Sequence, residues 1–213
     1  MSPIETLGFA LGTSFASGLN LYATVAAAGL FQRLGIVHLP DSLQILSHPI
    51  VMGVAITLFI VEFIADKIPY VDSAWDALHT FIRPPAAALM SYSAFGNVPE
   101  EWKIGAALLA GSVALTSHGA KATTRAAANT SPEPVSNWAL SILEDGLAVF
   151  LVWMAAEHPL LTAAIVMVLV VIAVLLIRKL WRFARQMMAR LRRPLTQPGP
   201  NPSADTHPQA PGG

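Results

Sequence analysis

An uninterrupted apolar run at residues 160–177, LLTAAIVMVLVVIAVLLI, constrains this chain more than any other feature, because it contains no charged residue. A helix that crosses the hydrocarbon core of a bilayer needs about 20 mostly apolar residues. Of the 213 residues, 54% are hydrophobic and 12% are charged, whereas soluble domains carry about 25% charged residues. The sequence therefore predicts an integral membrane protein.

Five further segments are apolar enough to be membrane segments, although several contain polar residues. The first is interrupted by Gly18 and Asn20, and another is too short to cross a bilayer as a straight helix. The pattern predicts an all-α transmembrane bundle of about six segments within residues 1–182. The five segments lie at residues 7–31, 49–65, 84–95, 104–117 and 138–156.

Residues 1–99 and 100–182 each contain three of the six segments and resemble one another in design. Aligning SGLNLYAT in the first half with HGAKATTR in the second places Gly18 opposite Gly119. Inverted three-helix repeats with interrupted helices are common in transporters. An ordinary six-helix bundle with closely packed glycines explains the pattern equally well, so the sequence leaves both architectures open.

Lysine and arginine are concentrated after the last apolar segment, where seven basic residues lie within residues 178–193. Basic flanks remain cytoplasmic, so six crossings place both termini on the cytoplasmic side of the membrane. The flank at 183–193 is expected to be a stop-transfer sequence or a helix lying on anionic lipids. Residues 194–213 are rich in proline and glycine and are expected to be disordered.

The first charged motif, VEFIADKIPYVDSAWDALHTFIRPP, occupies residues 61–85. Within it Asp72, Asp76 and His79 fall on one face of a short helix. Two carboxylates and an imidazole at this spacing are candidate ligands for a divalent cation. A proton relay, a salt-bridged lid with Lys67 and Arg83, and a solvated interfacial face are the alternatives, and all of these interpretations stay open.

The second charged motif, HGAKATTRAAANTSPEPVSN, occupies residues 118–137 and carries three basic side chains on one helical face. Cations at the end of a membrane helix are costly unless they are solvated, paired or bound to a ligand. Arginine can hold a carboxylate or phosphate through two N–H groups, whereas snorkelling would merely anchor the helix. The predicted substrate-binding residues are His118, Lys121, Arg125, Asn20 and Arg83.

Carboxylates also occur inside or at the edge of the apolar segments. An unpaired carboxylate in a membrane segment costs several kcal/mol, which makes each one a candidate functional group. Desolvation favours the neutral form, so such a group can carry a proton. The predicted proton or ion relay consists of Glu62, Asp66, Glu144 and Asp145.

Several function classes are excluded by what the sequence lacks. Without cysteine, the chain cannot form disulfides, thiolate metal sites or iron–sulfur clusters. It contains no phosphate-binding loop, zinc-protease motif, nucleophile elbow or dinucleotide fingerprint. Thirteen basic residues balance 13 acidic residues, which argues against a nucleic-acid partner. Among cofactors, the sequence leaves open only a divalent cation, held by Asp72, Asp76 and His79. Whether the chain forms a homo-oligomer also stays open.

Three long motifs resemble a bacterial integral-membrane family known as domain of unknown function 4126. They are SGLNLYAT, ADKIPYVDSAWDALHTFIRPPAAA and HGAKATTRAAANTSPEPVSN, and the resemblance extends over about residues 4–176. It implies a multi-spanning inner-membrane protein, and it brings no established activity. Where relatives read RP-x-AGA, this chain reads RPPAAA at residues 83–88, which weakens a close-packing role for Ala87.

The sequence supports three functional hypotheses. We expect a small transporter or channel-like protein, rather than an enzyme, with a cytoplasmic-side pocket for a small anion or a proton-coupled solute. The alternatives are a metal-dependent membrane enzyme acting on a phosphorylated lipid and a noncatalytic scaffold. The first hypothesis predicts that Asp76 and Arg125 meet in one pocket.

Overall fold

The computed structural model describes residues 1–68, 70–129 and 134–191, and within them all side chains except those of 134–136 and 187–191. Over these residues the chain is all-helical and contains no strand. The expected disordered tail at 194–213 and the end of the basic flank lie outside the described residues. The helices are α1 (Pro3–Leu19), α2 (Leu21–Arg33), a 3-10 helix (Asp41–Ser47), α3 (Pro49–Ala65), α4 (Val71–His79), α5 (Arg83–Ala94), α6 (Glu100–Ala128), α7 (Pro134–Glu157) and α8 (Pro159–Leu191).

Local sequence signals set several of the helix ends. Ser2 and Glu5 form a capping box at the start of α1, in which the Ser2 backbone N–H donates to Glu5 Oε2 at 2.7 Å. Proline occupies the first turn of α1, α3 and α5, where its missing N–H costs no intrahelical hydrogen bond.

A single residue, Asn20, separates α1 from α2. Its backbone leaves the helical conformation at φ −150° and ψ 105°, and its side-chain oxygen caps α2 by accepting from the Ala23 N–H at 2.8 Å. The chain reverses direction here, because Leu39, shortly after α2, lines the same surface cavity as Pro3 at the start of α1. The interruption predicted near Asn20 is present, and it makes a helical hairpin rather than a kink.

The residue aligned with Gly18, Gly119, does not interrupt its helix. α6 is continuous from Glu100 to Ala128 and passes through Gly119 without a break. One glycine costs a helix only about 1 kcal/mol relative to alanine, and the alanine-rich sequence after Gly119 has high helix propensity. The two aligned motifs therefore differ in backbone structure.

α1 occupies the centre of the bundle and is buried along most of its length. Its glycines lie against neighbouring helices: a Cβ added at Gly12 would approach Ala155 Cβ to 2.6 Å, and one added at Gly18 would overlap Ser117 Oγ. Small residues at such contacts let helices approach closely. The sequence SFASGL thus fits a helix that is surrounded by α5, α6, α7 and α8.

The two ends of the described bundle differ in character. The end that contains Pro3, Leu39 and Glu157 is called here the N-terminal end. The opposite end, around Asn20, holds the charged side chains described below and is called the charged end. α8 starts beside Gly8 at the N-terminal end, and its Ile177 contacts Gly119 near the charged end. Met1 and the basic part of α8 therefore lie at opposite ends.

Two helical stretches within the described residues are long and apolar enough to cross a membrane: Asn137–Glu157 and Pro159–Gln186. The 3-10 helix and α3 together form a third candidate, which is bent by 65°. This number is lower than the six segments expected from the sequence. α5 is short, α1 and α2 divide one apolar run between them, and α6 carries Lys121 and Arg125.

Candidate functional site

Nine charged side chains, each less than 10% exposed, come together at the charged end. They come from the ends of α3 and α6, from α4, from the start of α5 and from α7. Placing an ion away from water costs several kcal/mol unless it is paired and hydrogen-bonded. The described residues of this charged network are the carboxylates Glu62, Asp66, Asp72, Asp76, Glu144 and Asp145 and the cations Arg83, Lys121 and Arg125.

Arg83, at the start of α5, joins four other elements. Its Nη2 lies 2.7 Å from Glu62 Oε1 and 3.6 Å from Asp76 Oδ1. Its Nη1 donates to the Gly18 carbonyl oxygen at 2.8 Å and lies 2.9 Å from His118 Nδ1. This guanidinium therefore links α3 and α4 to the end of α1 and to α6.

Lys121, on α6, lies at the centre of the network. Its Nζ donates to Asp66 Oδ2 at 2.9 Å and to Glu62 Oε1 at 3.1 Å, and it lies 3.8 Å from Glu144 Oε2. It also donates to the Leu19 carbonyl oxygen at 3.0 Å. The last carbonyls of a helix lack intrahelical partners and carry partial negative charge, so the end of α1 is a natural site for a cation.

Arg125 completes the network one turn further along α6. Its Nη2 lies 2.6 Å from Glu144 Oε2 and 3.0 Å from Asp66 Oδ2, and its Nη1 donates to the Asp66 carbonyl oxygen at 2.7 Å. Since Asp66 and Glu62 both bind Lys121, a continuous series of contacts joins Arg125 to Asp76. The structure places both charged motifs in one network, and the side chains that form it are buried.

Asn20, at the hairpin turn, connects α1 to α7. Its Nδ2 donates to Asp145 Oδ1 at 2.8 Å, while its Oδ1 caps α2. Asn20 thus has both a backbone role and a contact with a predicted relay residue. Within the described part of the chain, Asp145 Oδ2 has no hydrogen-bond partner.

The three predicted metal ligands do not converge. Both Asp72 oxygens accept from Asn129 Nδ2 at 2.9 Å, whereas His79 Nε2 lies 3.0 Å from the Tyr22 hydroxyl. No group of three His, Asp or Glu side chains in the described part of the chain is arranged to hold a metal ion. Sharing a helical face therefore did not bring Asp72, Asp76 and His79 to one point, and we propose no divalent cation here.

Sequence reasoning missed three partners of the network. Tyr22 contacts His79, and Asn129 binds Asp72 and in turn accepts from Asn137 Nδ2 at 2.7 Å. Tyr22 lies in SGLNLYAT, and both asparagines lie in the second charged motif. The signal was therefore present as polar residues inside the motifs, but their partners come from distant parts of the chain.

The network is incompletely satisfied. Among the described side chains, five buried carboxylate oxygens have no hydrogen-bond partner, and neither does Arg83 Nε. An unmade hydrogen bond to a buried charged group costs more than the 1–3 kcal/mol of a neutral one. Since six carboxylates face three cations, protonation of some carboxylates would lower this cost. The unpartnered oxygens are Glu62 Oε2, Asp66 Oδ1, Asp76 Oδ1, Asp76 Oδ2 and Asp145 Oδ2.

Asp76 lies on α4, which is too short to span a membrane. Burial raises the pKa of Asp76 to about 6 from an ordinary value of 3.8. Lys121, Arg83 and Arg125 oppose this increase, and Asp66 adds to it. A carboxyl with a raised pKa contributes stability below its unfolded pKa and loses it as the pH rises through the folded pKa.

We therefore expect Asp76→Asn to be more stable than the parent above pH 6, with the difference disappearing below about pH 4. The asparagine cannot ionise, so it avoids a buried charge that the parent acquires as the pH rises. Thermal unfolding of the detergent-solubilised protein between pH 4 and 8 measures the difference. Asp41→Asn, at an exposed position, is the control, and a pH-independent difference for Asp76→Asn would contradict the prediction.

A family model, domain of unknown function 4126, matches residues 7–179. The chain belongs to this family. The matched region includes the hairpin at Asn20 and every residue of the charged network. The network therefore lies within the domain that defines the family. Comparisons with curated proteins and with solved structures find no match.

Proposed function

We propose that this member of the family is a multi-pass membrane protein that transfers protons, alone or coupled to a solute, through the charged network. One observation carries the proposal: the described part of the chain buries six carboxylates against three cations, and five carboxylate oxygens lack hydrogen-bond partners. Intramembrane carboxylates of this kind form the proton relays of pumps and transporters. Because the carboxylates outnumber the cations, some carboxylates can bind and release protons while the others stay paired with the cations.

The state of the cations favours protons over a small anion. Arg83, Lys121 and Arg125 each lie within 3.1 Å of at least one carboxylate. An anion would have to displace those carboxylates, whereas a proton would bind to one of them. The same pairing disfavours the enzyme hypothesis, because a phosphate would have to displace these carboxylates from Lys121 and Arg125. Burial of the charges disfavours a scaffold whose polar surface binds a partner.

The membrane placement follows from α8. Its 18 uncharged residues at 160–177 extend about 27 Å at 1.5 Å per residue, which matches a hydrocarbon core of about 30 Å. The basic residues from Arg178 onward favour a cytoplasmic position for the charged end. Because α1 and α2 form a hairpin, we count seven traverses: α1, α2, α3, α5, α6, α7 and α8.

An odd number of traverses predicts an extracytoplasmic N-terminus and a cytoplasmic C-terminus, instead of the two cytoplasmic termini expected from six crossings. Epitope tags fused before Met1 and after Gly213 test this in spheroplasts. Antibody should bind the N-terminal tag on intact spheroplasts and the C-terminal tag only after permeabilisation. If both tags require permeabilisation, six crossings are correct and the hairpin does not reach through the membrane.

Proton transfer can be measured with the purified protein in liposomes that contain the pH indicator pyranine. A potassium gradient with valinomycin supplies the driving force. The luminal pH should change faster in liposomes that contain the parent protein than in empty liposomes. Asp145→Asn should slow the flux about tenfold, because an amide cannot carry a proton across an intramembrane relay. Glu101→Gln, exposed on α6, should leave it unchanged. A parent no faster than empty liposomes would refute the proposal.

A further inference from the structure

Buried hydroxyl groups form a line along one face of α1. Thr6, Thr13 and Ser17 are separated by seven and four residues, and Asn20 follows three residues later. These intervals place all four positions on one helical face. Their exposure is 6%, 3%, 0% and 0%, so the line lies inside the bundle and ends at the charged network.

α5 contributes another hydroxyl to the same region. Its buried face consists of Arg83, Ala87, Ser91 and Ala94. Arg83 bonds to the Gly18 carbonyl at one end of α1, while Ala94 lines a cavity with Thr6 at the other end. α5 therefore runs antiparallel beside α1, with Ser91 beside the N-terminal half of α1.

Two of these hydroxyls have no hydrogen-bond partner among the residues that the structure describes. Thr6 and Thr13 donate to backbone carbonyls of their own helix turn, at 3.0 and 2.9 Å, which is the usual arrangement in membrane helices. Ser17 Oγ and Ser91 Oγ are 0% and 2% exposed at the residue level and are unpartnered. A buried hydroxyl is normally bonded to protein or to ordered water, so water is the expected partner of both groups.

Both ends of the line meet polar features. At the N-terminal end Thr6 lines a polar cavity of about 740 Å³ together with His38, Asp41 and Glu157. At the other end Asn20 holds Asp145, whose Oδ2 is unpartnered. The axial distance from Thr6 to Asn20 is about 21 Å at 1.5 Å per residue. The line therefore covers most of the thickness of a hydrocarbon core.

We propose that the hydroxyl seam, formed by Thr6, Thr13, Ser17 and Ser91, is a hydrated path that brings protons from the N-terminal cavity to Asp145. Hydroxyl groups both donate and accept hydrogen bonds, so with intervening water they can pass protons along the seam. The proposal rests on the proton-transfer function and gives its entry side, its route and its first acceptor.

The natural absence of cysteine gives a direct test of water in the seam. The variants are Ser17→Cys and Ser91→Cys, with Ala16→Cys as the matched control. Ala16 neighbours Ser17, is also 0% exposed, and packs in the apolar core on another face of α1. The reconstituted protein is treated with aminoethyl methanethiosulfonate, and mass spectrometry follows the modified fraction with time. Thiols react as hydrated thiolates, so both seam variants should react roughly tenfold faster than the control.

Proton flux through the same liposomes separates the outcomes. Faster reaction of the seam thiols, with loss of flux after modification, supports the path. Equal, slow reaction of all three thiols overturns it and shows that the hydroxyls serve close helix packing, while flux in the parent would leave the proposed function intact. If the seam thiols react fast but the proton flux does not fall after modification, protons do not pass along the seam, and the proposal is overturned. If the parent conducts no protons, the proposed function fails and a reactive seam is merely hydrated.

Discussion

Replacing Lys121 by methionine is expected to lower the free energy of unfolding by about 3–5 kcal/mol, because removing one partner leaves buried charges uncompensated. Lys121 Nζ lies within 3.1 Å of Glu62 and Asp66 and 3.8 Å from Glu144. Methionine has a similar length and fills the space, so the change isolates the charge. The measurement is thermal unfolding in detergent, where this loss corresponds to roughly 6–20 °C for a chain of this size.

Two controls make the Lys121 experiment specific. Adding Asp66→Asn to Lys121→Met removes an unpaired carboxylate, so the double variant should recover part of the lost stability. Lys103→Met removes a partly exposed ion pair, in which Lys103 Nζ lies 3.8 Å from Glu100 Oε2. This change should lower the free energy of unfolding by at most about 1 kcal/mol. If Lys103→Met and Lys121→Met cost the same, or if the double variant is no better than the single one, the network does not depend on a central cation.

The second large effect is expected from Gly18→Ala. A Cβ at this position would overlap Ser117 Oγ and the Ala114 carbonyl oxygen, with the Ala114 carbonyl carbon at 3.1 Å. Backbone atoms cannot rotate away, so α1 and α6 must separate. Overpacking of this kind typically costs about 1–3 kcal/mol. The same displacement would stretch the bond from Arg83 to the Gly18 carbonyl, so proton flux should fall together with thermal stability.

Gly105→Ala is the matched control for Gly18→Ala. Gly105 is also helical, and no atom outside its own helix lies within 4 Å of a Cβ built there. Alanine should be neutral at this site or stabilise the helix by up to about 1 kcal/mol. Equal losses of stability in the two variants would show that the approach of α1 to α6 is not tight.

The charged residues could be predicted from the sequence because ions inside apolar segments are rare and conspicuous. An α-helical protein and a break near Asn20 followed from the apolar runs and from the local polar residues. The reversal at Asn20 could not be predicted in this way. A capping asparagine determines where a helix begins, but it does not determine the direction of that helix relative to the one before it. The position of α2 depends instead on contacts with α3 and with α7, and α7 is distant in sequence.

The details of the site depend on pairing between elements. Asp72 and His79 share a helical face, yet their partners Asn129 and Tyr22 come from different helices, and no short-range pattern identifies them. The burial of the network has the same origin. Opposite charges in two distant motifs indicate attraction, but the distances in the folded bundle decide whether space for a solute is left between them.

The carbonyl end of α1 is completed by side chains that are synthesised much later. Gly18 accepts from Arg83, 65 residues further along the chain, and Leu19 accepts from Lys121, 102 residues further along. The two carbonyls can therefore both receive these side-chain donors only after α6 has been synthesised. Completing the hydrogen bonds at the end of α1 thus depends on synthesis of the second half of the chain.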